Sequence, residues 1–226
     1  MLKMKLLNKI YLFIRALPKS IFFNLKYLKF KEALMLPILV SHRVLLSDTK
    51  GRITIEAKLK PGLITIGFGD VGIFDKHLSR SVWKVLGHVC FKGSCSLGHG
   101  SKICVAQTGE LILGDNFLMT AESSILCREN IIFGKDCLVS WEVLMMDTDY
   151  HTINDMQGRQ INHNRQIVVG DHVWIGCRST VLKGSVIPDN SVIAAGCLVT
   201  GSFTKTNQII GGTPARTLRE NINWTE

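Results

Sequence analysis

The sequence has no uninterrupted apolar run long enough to cross a membrane, and no acidic residue precedes Glu32. A spanning helix needs roughly 18 or more consecutive apolar residues, so we expect no transmembrane segment. No small-residue cleavage site follows a hydrophobic stretch, and we therefore expect no signal peptide. The cysteines are seven, an odd number, and include no Cys-x-x-Cys pair. This pattern argues against a disulfide framework or zinc site and favours reduced, buried thiols in a cytoplasmic protein.

The acid-free N-terminal segment carries much of the formal net charge of +9. Its apolar residues are interleaved with cations, which predicts a basic amphipathic helix, or a helix pair broken near Pro18. We expect its apolar face to pack on the main domain or on a neighbouring subunit while the lysines stay solvated. The alternative is that residues 1–31 bind an anionic membrane surface, with the protein peripheral to the inner face of the membrane. No nucleic-acid-binding motif accompanies the charge, so we expect no nucleic-acid partner. The cations of this segment are Lys3, Lys5, Lys9, Arg15, Lys19, Lys26, Lys29 and Lys31.

A six-residue repeat runs from Val169 to Thr204. Its period is neither that of a helix nor that of a plain strand, so each hexad predicts a short strand and a bend with an aliphatic side chain pointing inward. Three hexads then complete one three-sided coil, and stacked coils bury a column that no single repeat buries alone. The aliphatic positions are Val169, Ile175, Val181, Ile187, Ile193 and Val199, and mostly small residues stand four positions on at Val173, Ser179, Ser185, Ser191, Cys197 and Phe203.

The same spacing recurs earlier in the chain, interrupted by phase shifts that mark corners and loops. Before it, β-branched runs predict irregular first coils joined by turns. The earlier hexad positions are Leu97 and Ile103, then Leu113, Met119 and Ile125, then Phe133, Val139 and Met145. We expect four regions: a basic segment over 1–36, irregular β structure and first coils over 37–96, a hexapeptide coil over 97–210 with an extruded loop over 146–166, and a tail over 211–226.

We expect the catalytic residues where the six-residue repeat is interrupted, in the polar loop after Met145. A loop held by a rigid scaffold is a common place for functional residues. His151 stands at the start of this loop, and histidine can accept a proton near neutral pH, so we predict that it is a general base. Asp147 or Asp149 would accept the other imidazole N–H and fix the tautomer.

Over roughly residues 97–220 the sequence resembles the hexapeptide-repeat acyltransferases, and among them the sugar O-acetyltransferases that modify surface polysaccharides. The motifs that carry this resemblance are Asp147–His151, Val169–Gly176, Ile187–Gly196 and Gly211–Arg216. The resemblance implies a mainly β protein, a left-handed parallel β-helix, with the handedness taken from the family. It also implies a homotrimer that binds acetyl-CoA, its co-substrate, between adjacent subunits.

Individual roles follow from the same resemblance. The pantetheine arm would lie beside Trp174, Cys177, Ala195 and Thr200, and the phosphates near Arg216 and Arg219. Narrow small-residue walls admit an extended pantetheine chain, and guanidinium groups suit phosphate oxygens. The acceptor would face Thr120, Trp141 and Glu142. Two positions depart from the family pattern, Gly201 where many relatives have lysine and Thr120 where several have asparagine, which puts one phosphate contact and the acceptor in doubt.

The resulting hypothesis is transfer of an acetyl group from acetyl-CoA to a hydroxyl of a sugar or polysaccharide precursor, without a metal. An amino group as acceptor stays open at this point. Two alternatives belong to other classes: a non-catalytic β-helix scaffold, and a metal hydratase of the γ-class carbonic anhydrase type. The latter needs three converging histidines, and the chain lacks the closely spaced pair among His88, His99, His151, His163 and His172.

Overall fold

The computed structural model describes residues 2–225, with side chains described from residue 10 onward. Two helices, α1 (Leu2–Tyr27) and α2 (Phe30–Ala33), precede a series of short strands. The strands are β1 (Ile38–Val40), β2 (Leu45–Asp48), β3 (Arg52–Ile55), β4 (Ile64–Phe68), β5 (Val82–Val85), β6 (His88–Phe91), β7 (Cys95–His99), β8 (Lys102–Val105), β9 (Glu110–Leu113), β10 (Phe117–Ala121), β11 (Ser124–Cys127), β12 (Asn130–Phe133), β13 (Leu138–Val139), β14 (Leu144–Met146), β15 (Ile167–Val169), β16 (Trp174–Ile175), β17 (Thr180–Leu182), β18 (Val186–Ile187), β19 (Val192–Ile193), β20 (Leu198–Val199), β21 (Gln208–Gly211) and β22 (Arg216–Glu220).

Successive strands fall in turn on three parallel sheets, so that three strands make one coil. Sheet A has the order β1-β4-β7-β10-β13-β16-β19-β21-β22, sheet B the order β2-β5-β8-β11-β14-β17-β20, and sheet C the order β18-β15-β12-β9-β6-β3. The register pairs Ile175 with Ile193, one coil apart. The expected mainly β fold, a left-handed parallel β-helix with an N-terminal helix, is confirmed. The stack begins at Ile38, well before the hexad pattern is visible in the sequence.

The core is the column of inward-pointing side chains that the repeat predicts. Every aliphatic hexad position from Val169 to Val199 is at most 1% exposed. The positions four residues on are buried as well, apart from the partly buried Phe203. Serine hydroxyl groups at these positions bond to the corners: Ser179 Oγ donates to the carbonyl oxygen of Ala194 over 2.9 Å. A small residue is needed there because it fills the corner and satisfies a buried backbone acceptor at the same time.

Helix α1 covers the open edge of the first coil. An edge strand leaves a row of unpaired backbone groups, which proteins commonly cover. Here Asn24 donates to the carbonyl oxygen of Ile38 over 2.6 Å and accepts from the Ile38 amide over 3.2 Å. Ser20 Oγ accepts from the Val40 amide over 2.9 Å. Two polar side chains of α1 therefore replace the missing neighbour of β1. The helix runs on through Pro18, so the predicted break there is wrong.

The two faces of α1 differ in environment. Phe23 on the packed face is fully buried, with its ring 5.3 Å from that of Trp83, so the expected packing on the coil is present. The opposite face is apolar yet exposed, and its residues are Ile10, Tyr11, Ile14, Ile21, Phe22 and Leu25. The side chains of Lys3, Lys5 and Lys9 lie outside the described residues. Within the described chain, no helix combines the length and the apolar character that a membrane crossing requires.

Candidate active site

The segment between β14 and β15 leaves the coil as a short antiparallel hairpin over residues 147–166. At its base the amide of Arg165 donates to the carbonyl oxygen of Asp147 over 3.2 Å. Further out, Asn154 forms an antiparallel bridge with Gln160. The polar loop expected from the sequence therefore has its own hydrogen bonds, which hold its two legs together.

Asp147 anchors this hairpin to the coil. Its side chain is fully buried, and its two oxygens accept from the backbone amides of Arg128 at 2.7 Å and Glu129 at 2.8 Å. Among the described residues, no hydrogen bond joins Asp147 to the imidazole of His151, contrary to the expectation from the sequence. Its contacts make it a residue that positions the start of the loop.

Asp149 belongs to a second polar cluster, which ties the hairpin to the next coil. It accepts a hydrogen bond from Asn162 Nδ2 at 2.8 Å and forms an ion pair with Lys183, whose ammonium also donates to the Asn162 carbonyl oxygen at 3.0 Å. The bonds from Lys183 and Asn162 hold the pKa of Asp149 below its ordinary value. Asp149 thus faces Lys183 and not the imidazole of His151, which corrects its predicted role. Nothing local in the sequence singles out Lys183, because only stacking brings it to the loop.

The backbone of His151 is fixed while its side chain is exposed. Its amide donates to the Asp149 carbonyl oxygen over 2.7 Å, and its own carbonyl accepts from Asn162 Nδ2 over 2.7 Å. Tyr150, the preceding residue, has a φ of 59°, which is rare for a bulky side chain and is a kind of strain that clusters at functional sites. The imidazole makes no hydrogen bond with a described residue. The structure therefore presents the imidazole of His151 at the surface of the chain on a fixed backbone.

The residues predicted beside the pantetheine arm do not form one pocket within the chain. Cys177 and Ala195 lie at the corner between sheets A and B, where the amide of Gly196 donates to the Cys177 carbonyl oxygen over 2.9 Å. Thr200 follows β20, at the corner between sheets B and C. Sheet B therefore separates Thr200 from the other two.

Trp174 lies on the outer face of sheet A, where the C-terminal tail partly covers it. Its indole N–H donates to Ser140 Oγ over 3.0 Å. Its ring lies 6.0 Å from that of Trp224, which in turn stacks on His172 at 4.2 Å. Because 37% of Trp174 stays exposed, one part of the ring is free to contact a ligand beside the tail.

Arg216 and Arg219 both lie on β22, which folds back antiparallel on β21 at the end of sheet A. Both residues are exposed, and neither side chain has an acidic partner among the described residues. Two free guanidinium groups on one short strand can bind phosphate oxygens with paired hydrogen bonds. The structure thus leaves both residues available for the role that the resemblance implies.

The three residues predicted on the acceptor side lie along the corner between sheets A and B. The hydroxyl group of Thr120, in the last part of β10, is buried and makes no hydrogen bond with a described residue. Trp141 and Glu142 occupy the same corner one coil on, where Glu142 accepts from Arg178 Nε over 2.7 Å. The His151 hairpin leaves from the other edge of sheet B. Within one chain, the predicted base and the predicted acceptor residues are therefore on opposite edges of that sheet.

Among the described residues, no group of three or more His, Cys, Asp or Glu side chains is arranged to hold a metal ion. The geometry instead consists of a fixed exposed histidine, two free arginines and corners of small residues on a rigid coil. Such parts fit proton transfer and binding of a phosphate-bearing, extended ligand.

Comparisons with known proteins also detect the six-residue repeat. Residues 166–201 match the family model for bacterial transferase hexapeptide (six repeats), so the hexapeptide-repeat resemblance is confirmed. The chain is 38% identical over 104 residues to the polysialic acid O-acetyltransferase of Neisseria meningitidis, a match covering 46% of this chain and 48% of that one. It is 29% identical over 108 residues to the galactoside O-acetyltransferase of Escherichia coli K12, covering 48% of this chain and 53% of that one.

The chain thus spans about half the length of these curated relatives. Among solved structures, the polySia specific acetyltransferase NeuO superposes with a TM-score of 0.52 at 20% identity, over 83% of this chain and 74% of that one. At this identity the superposition supports the fold and carries no argument about substrate.

Proposed function

We propose that this chain is an acetyl-CoA-dependent O-acetyltransferase that acts on a sugar hydroxyl in the biosynthesis of a surface polysaccharide. The observation that carries this proposal is the fixed, exposed His151 on a hairpin inserted into a hexapeptide coil. The sugar O-acetyltransferases among its relatives support the same reaction. The seven free cysteines support a cytoplasmic location, where acetyl-CoA is available.

In the proposed reaction His151 takes the proton from the acceptor hydroxyl while that oxygen attacks the thioester carbonyl carbon of acetyl-CoA. Backbone N–H groups near His151 stabilise the tetrahedral oxyanion, which collapses to the acetyl ester as the coenzyme A thiolate leaves. Asp147 and Asp149 act by positioning the hairpin that carries His151. No bond to the enzyme forms, so the two substrates have to be bound together.

A thiol-release assay tests the proposal, with acetyl-CoA as donor and a panel of neutral, acidic and amino sugars as acceptors. We expect coenzyme A release that depends on one class of sugar, with an acetyl ester as the product. If no sugar stimulates release while acetyl-CoA still binds, the non-catalytic scaffold is the better interpretation. Formation of an acetamide on an amino sugar would change the acceptor atom from oxygen to nitrogen.

Arg216 and Arg219 provide a prediction about the cofactor. Replacing both with alanine should raise the KM for acetyl-CoA about tenfold or more with little change in kcat, because phosphate contacts stabilise ground and transition states alike. Steady-state kinetics with acetyl-CoA as the varied substrate measures KM and kcat separately. The matched control is Arg52→Ala with Arg80→Ala, two exposed arginines on other parts of the chain. An unchanged KM in the Arg216/Arg219 variant would place the phosphates elsewhere.

We further propose a homotrimer, because the predicted base and acceptor residues lie at opposite edges of sheet B and a neighbouring subunit would bring them together. The exposed apolar face of α1 would then pack on that neighbour. One of its cations is already engaged, because the Lys19 ammonium donates to the carbonyl oxygens of His42 and Val44, at 2.7 and 2.5 Å.

Light scattering should accordingly give a mass of about three times the chain mass of 25.2 kDa. In cosedimentation, the trimer should bind neither neutral nor anionic vesicles. Replacing Ile14 and Ile21 with serine should shift the mass toward the monomer, because both side chains are on the exposed apolar face. Binding to anionic vesicles alone, lost between low and physiological salt, would instead assign this face to a membrane surface.

A further inference from the structure

A cavity of about 270 Å³ lies between α1 and the first three corners that join sheet A to sheet B. The His151 hairpin leaves from the other edge of sheet B, so within the chain the cavity is separate from His151. Thr120, predicted on the acceptor side, lies one coil beyond His99 along the same corner. The helix, the first and third of these corners and the long loop after β4, which forms the second corner, line the cavity. The lining residues are chiefly Arg15, His42, Arg43, Lys76, His77 and His99.

The lining is cationic, and none of its described members is a carboxylate. Arg43 is held in place because its Nη1 donates to the Lys76 carbonyl oxygen over 2.6 Å and its Nη2 lies 2.8 Å from His77 Nδ1. Among the described residues, the one side-chain hydrogen bond of Arg15 is to the Tyr11 hydroxyl, over 3.1 Å. Lys76 pairs with Asp70 at 2.7 Å, so the two arginines carry the excess charge. Excess positive charge around a partly enclosed space favours an anionic ligand.

The buried, unpaired ring of His99 is a second, independent observation that indicates a polar ligand. The His99 side chain is 4% exposed, yet neither ring nitrogen makes a hydrogen bond with a described residue. The ring is oriented by Phe74, which meets it edge-on with centroids 6.2 Å apart. Buried polar atoms in native proteins are nearly always paired, and leaving one unpaired costs about 1–3 kcal/mol. His42 Nδ1, which also faces this region, is buried and unpaired in the same way.

Burial lowers the pKa of His99, and burial together with Arg15, Arg43 and Lys19 lowers that of His42. Both rings are therefore neutral near pH 7, and each offers one N–H donor and one acceptor. Fixed imidazole N–H donors beside arginine forks form a set that matches the oxygens of a carboxylate or phosphate. An apolar ligand would leave the ring nitrogens unpaired, so it does not fit.

We propose that this cavity binds the carboxylate or phosphate group of a small ligand, an acidic monosaccharide or a sugar phosphate. Arg15 and Arg43 would bind the anionic oxygens, and His99 would donate from within the cavity. The volume is just below the lower end of the range for small-molecule sites, which suits one sugar ring or its charged group. This binding requires neither acetyl-CoA nor His151, so it is tested independently of the proposed acetyl transfer.

Isothermal titration of the full chain at fixed ionic strength tests the site with four probes: glucuronate, glucose 1-phosphate, inorganic phosphate and glucose. We expect at least one sugar anion to bind at least tenfold more tightly than neutral glucose. Glucuronate and glucose 1-phosphate distinguish a carboxylate from a phosphate ligand, and inorganic phosphate shows whether the sugar contributes. Equal binding of all four probes, or no binding of any, would overturn the proposal.

Variants locate the binding. Arg43→Gln should weaken the binding of the preferred anion about tenfold or more, because hydrogen bonds to charged groups contribute roughly 1.5–3 kcal/mol. Arg15→Gln should also weaken this binding. Arg15 is exposed, and its one side-chain hydrogen bond with a described residue is to Tyr11, so the variant should fold even if Arg43→Gln does not. Lys26→Gln, on the same helix but outside the cavity, should bind like wild type. Equal loss in all three would indicate general charge attraction and contradict a defined site.

Discussion

Replacing His151 with alanine should lower the turnover of acetyl transfer roughly 100-fold or more and leave acetyl-CoA affinity nearly unchanged. General base catalysis typically contributes about 10²–10⁴-fold, and the substitution removes only the group that takes the proton in the transition state. The backbone contacts that hold this residue come from its amide and carbonyl groups, so the hairpin should keep its path in the variant.

Single-turnover kinetics and an acetyl-CoA titration measure the two effects separately. His163→Ala is the matched control, because His163 is an exposed histidine in the same hairpin and should turn over at the wild-type rate. Near-normal turnover in His151→Ala would remove the general base from the mechanism. A loss shared equally by His163→Ala would point to the hairpin as a whole and not to one imidazole.

Replacing Ser20 and Asn24 together with alanine should lower the free energy of unfolding by at least about 3 kcal/mol. The double variant leaves the amide and carbonyl groups of Ile38 and the amide of Val40 without the partners that α1 provides. Each unpaired buried group costs about 1–3 kcal/mol, and the sites are close enough that the two single effects need not add.

Urea denaturation followed by circular dichroism measures this change. The matched control is Lys26→Ala with Lys31→Ala, two exposed cations of α1 and α2 that lie outside the apolar face. This pair should alter stability by no more than about 0.5 kcal/mol. If the Ser20/Asn24 variant loses no more unfolding free energy than the control pair, these contacts of α1 do not stabilise the edge of β1. The helix would then have another role.

The two carboxylates near His151 have different partners in the structure from those that their spacing in the sequence predicts. Their spacing in Asp147–His151 suggests partners for the imidazole, yet Asp147 binds backbone amides of the coil before it and Asp149 binds Lys183 of the coil after it. Both therefore serve to hold the hairpin between two coils. In the proposed trimer, groups that orient the imidazole would have to come from the substrates or from the neighbouring subunit.

The sequence by itself determined the repeating core and the place where it breaks. Inward positions such as Val181 and Ile193 recur at a fixed interval because each hexad builds one side of a coil, and this local rule needs no knowledge of distant contacts. The position of the loop with His151 follows from the same rule, since a lapse in the period means that the chain leaves the stack.

Only the tertiary structure decided what depends on contacts between coils. Asp149 pairs with Lys183 because coils stack on one another. Ser20 bonds to Val40, and Arg15 lines the same cavity as His99, because α1 packs on the first coils. The sequence of each segment does not predict these partners, because the same polar residue type occurs at solvent-exposed positions and at contacts between coils. The pairing is set by the register of the stack, and the register exists only once the coils are folded.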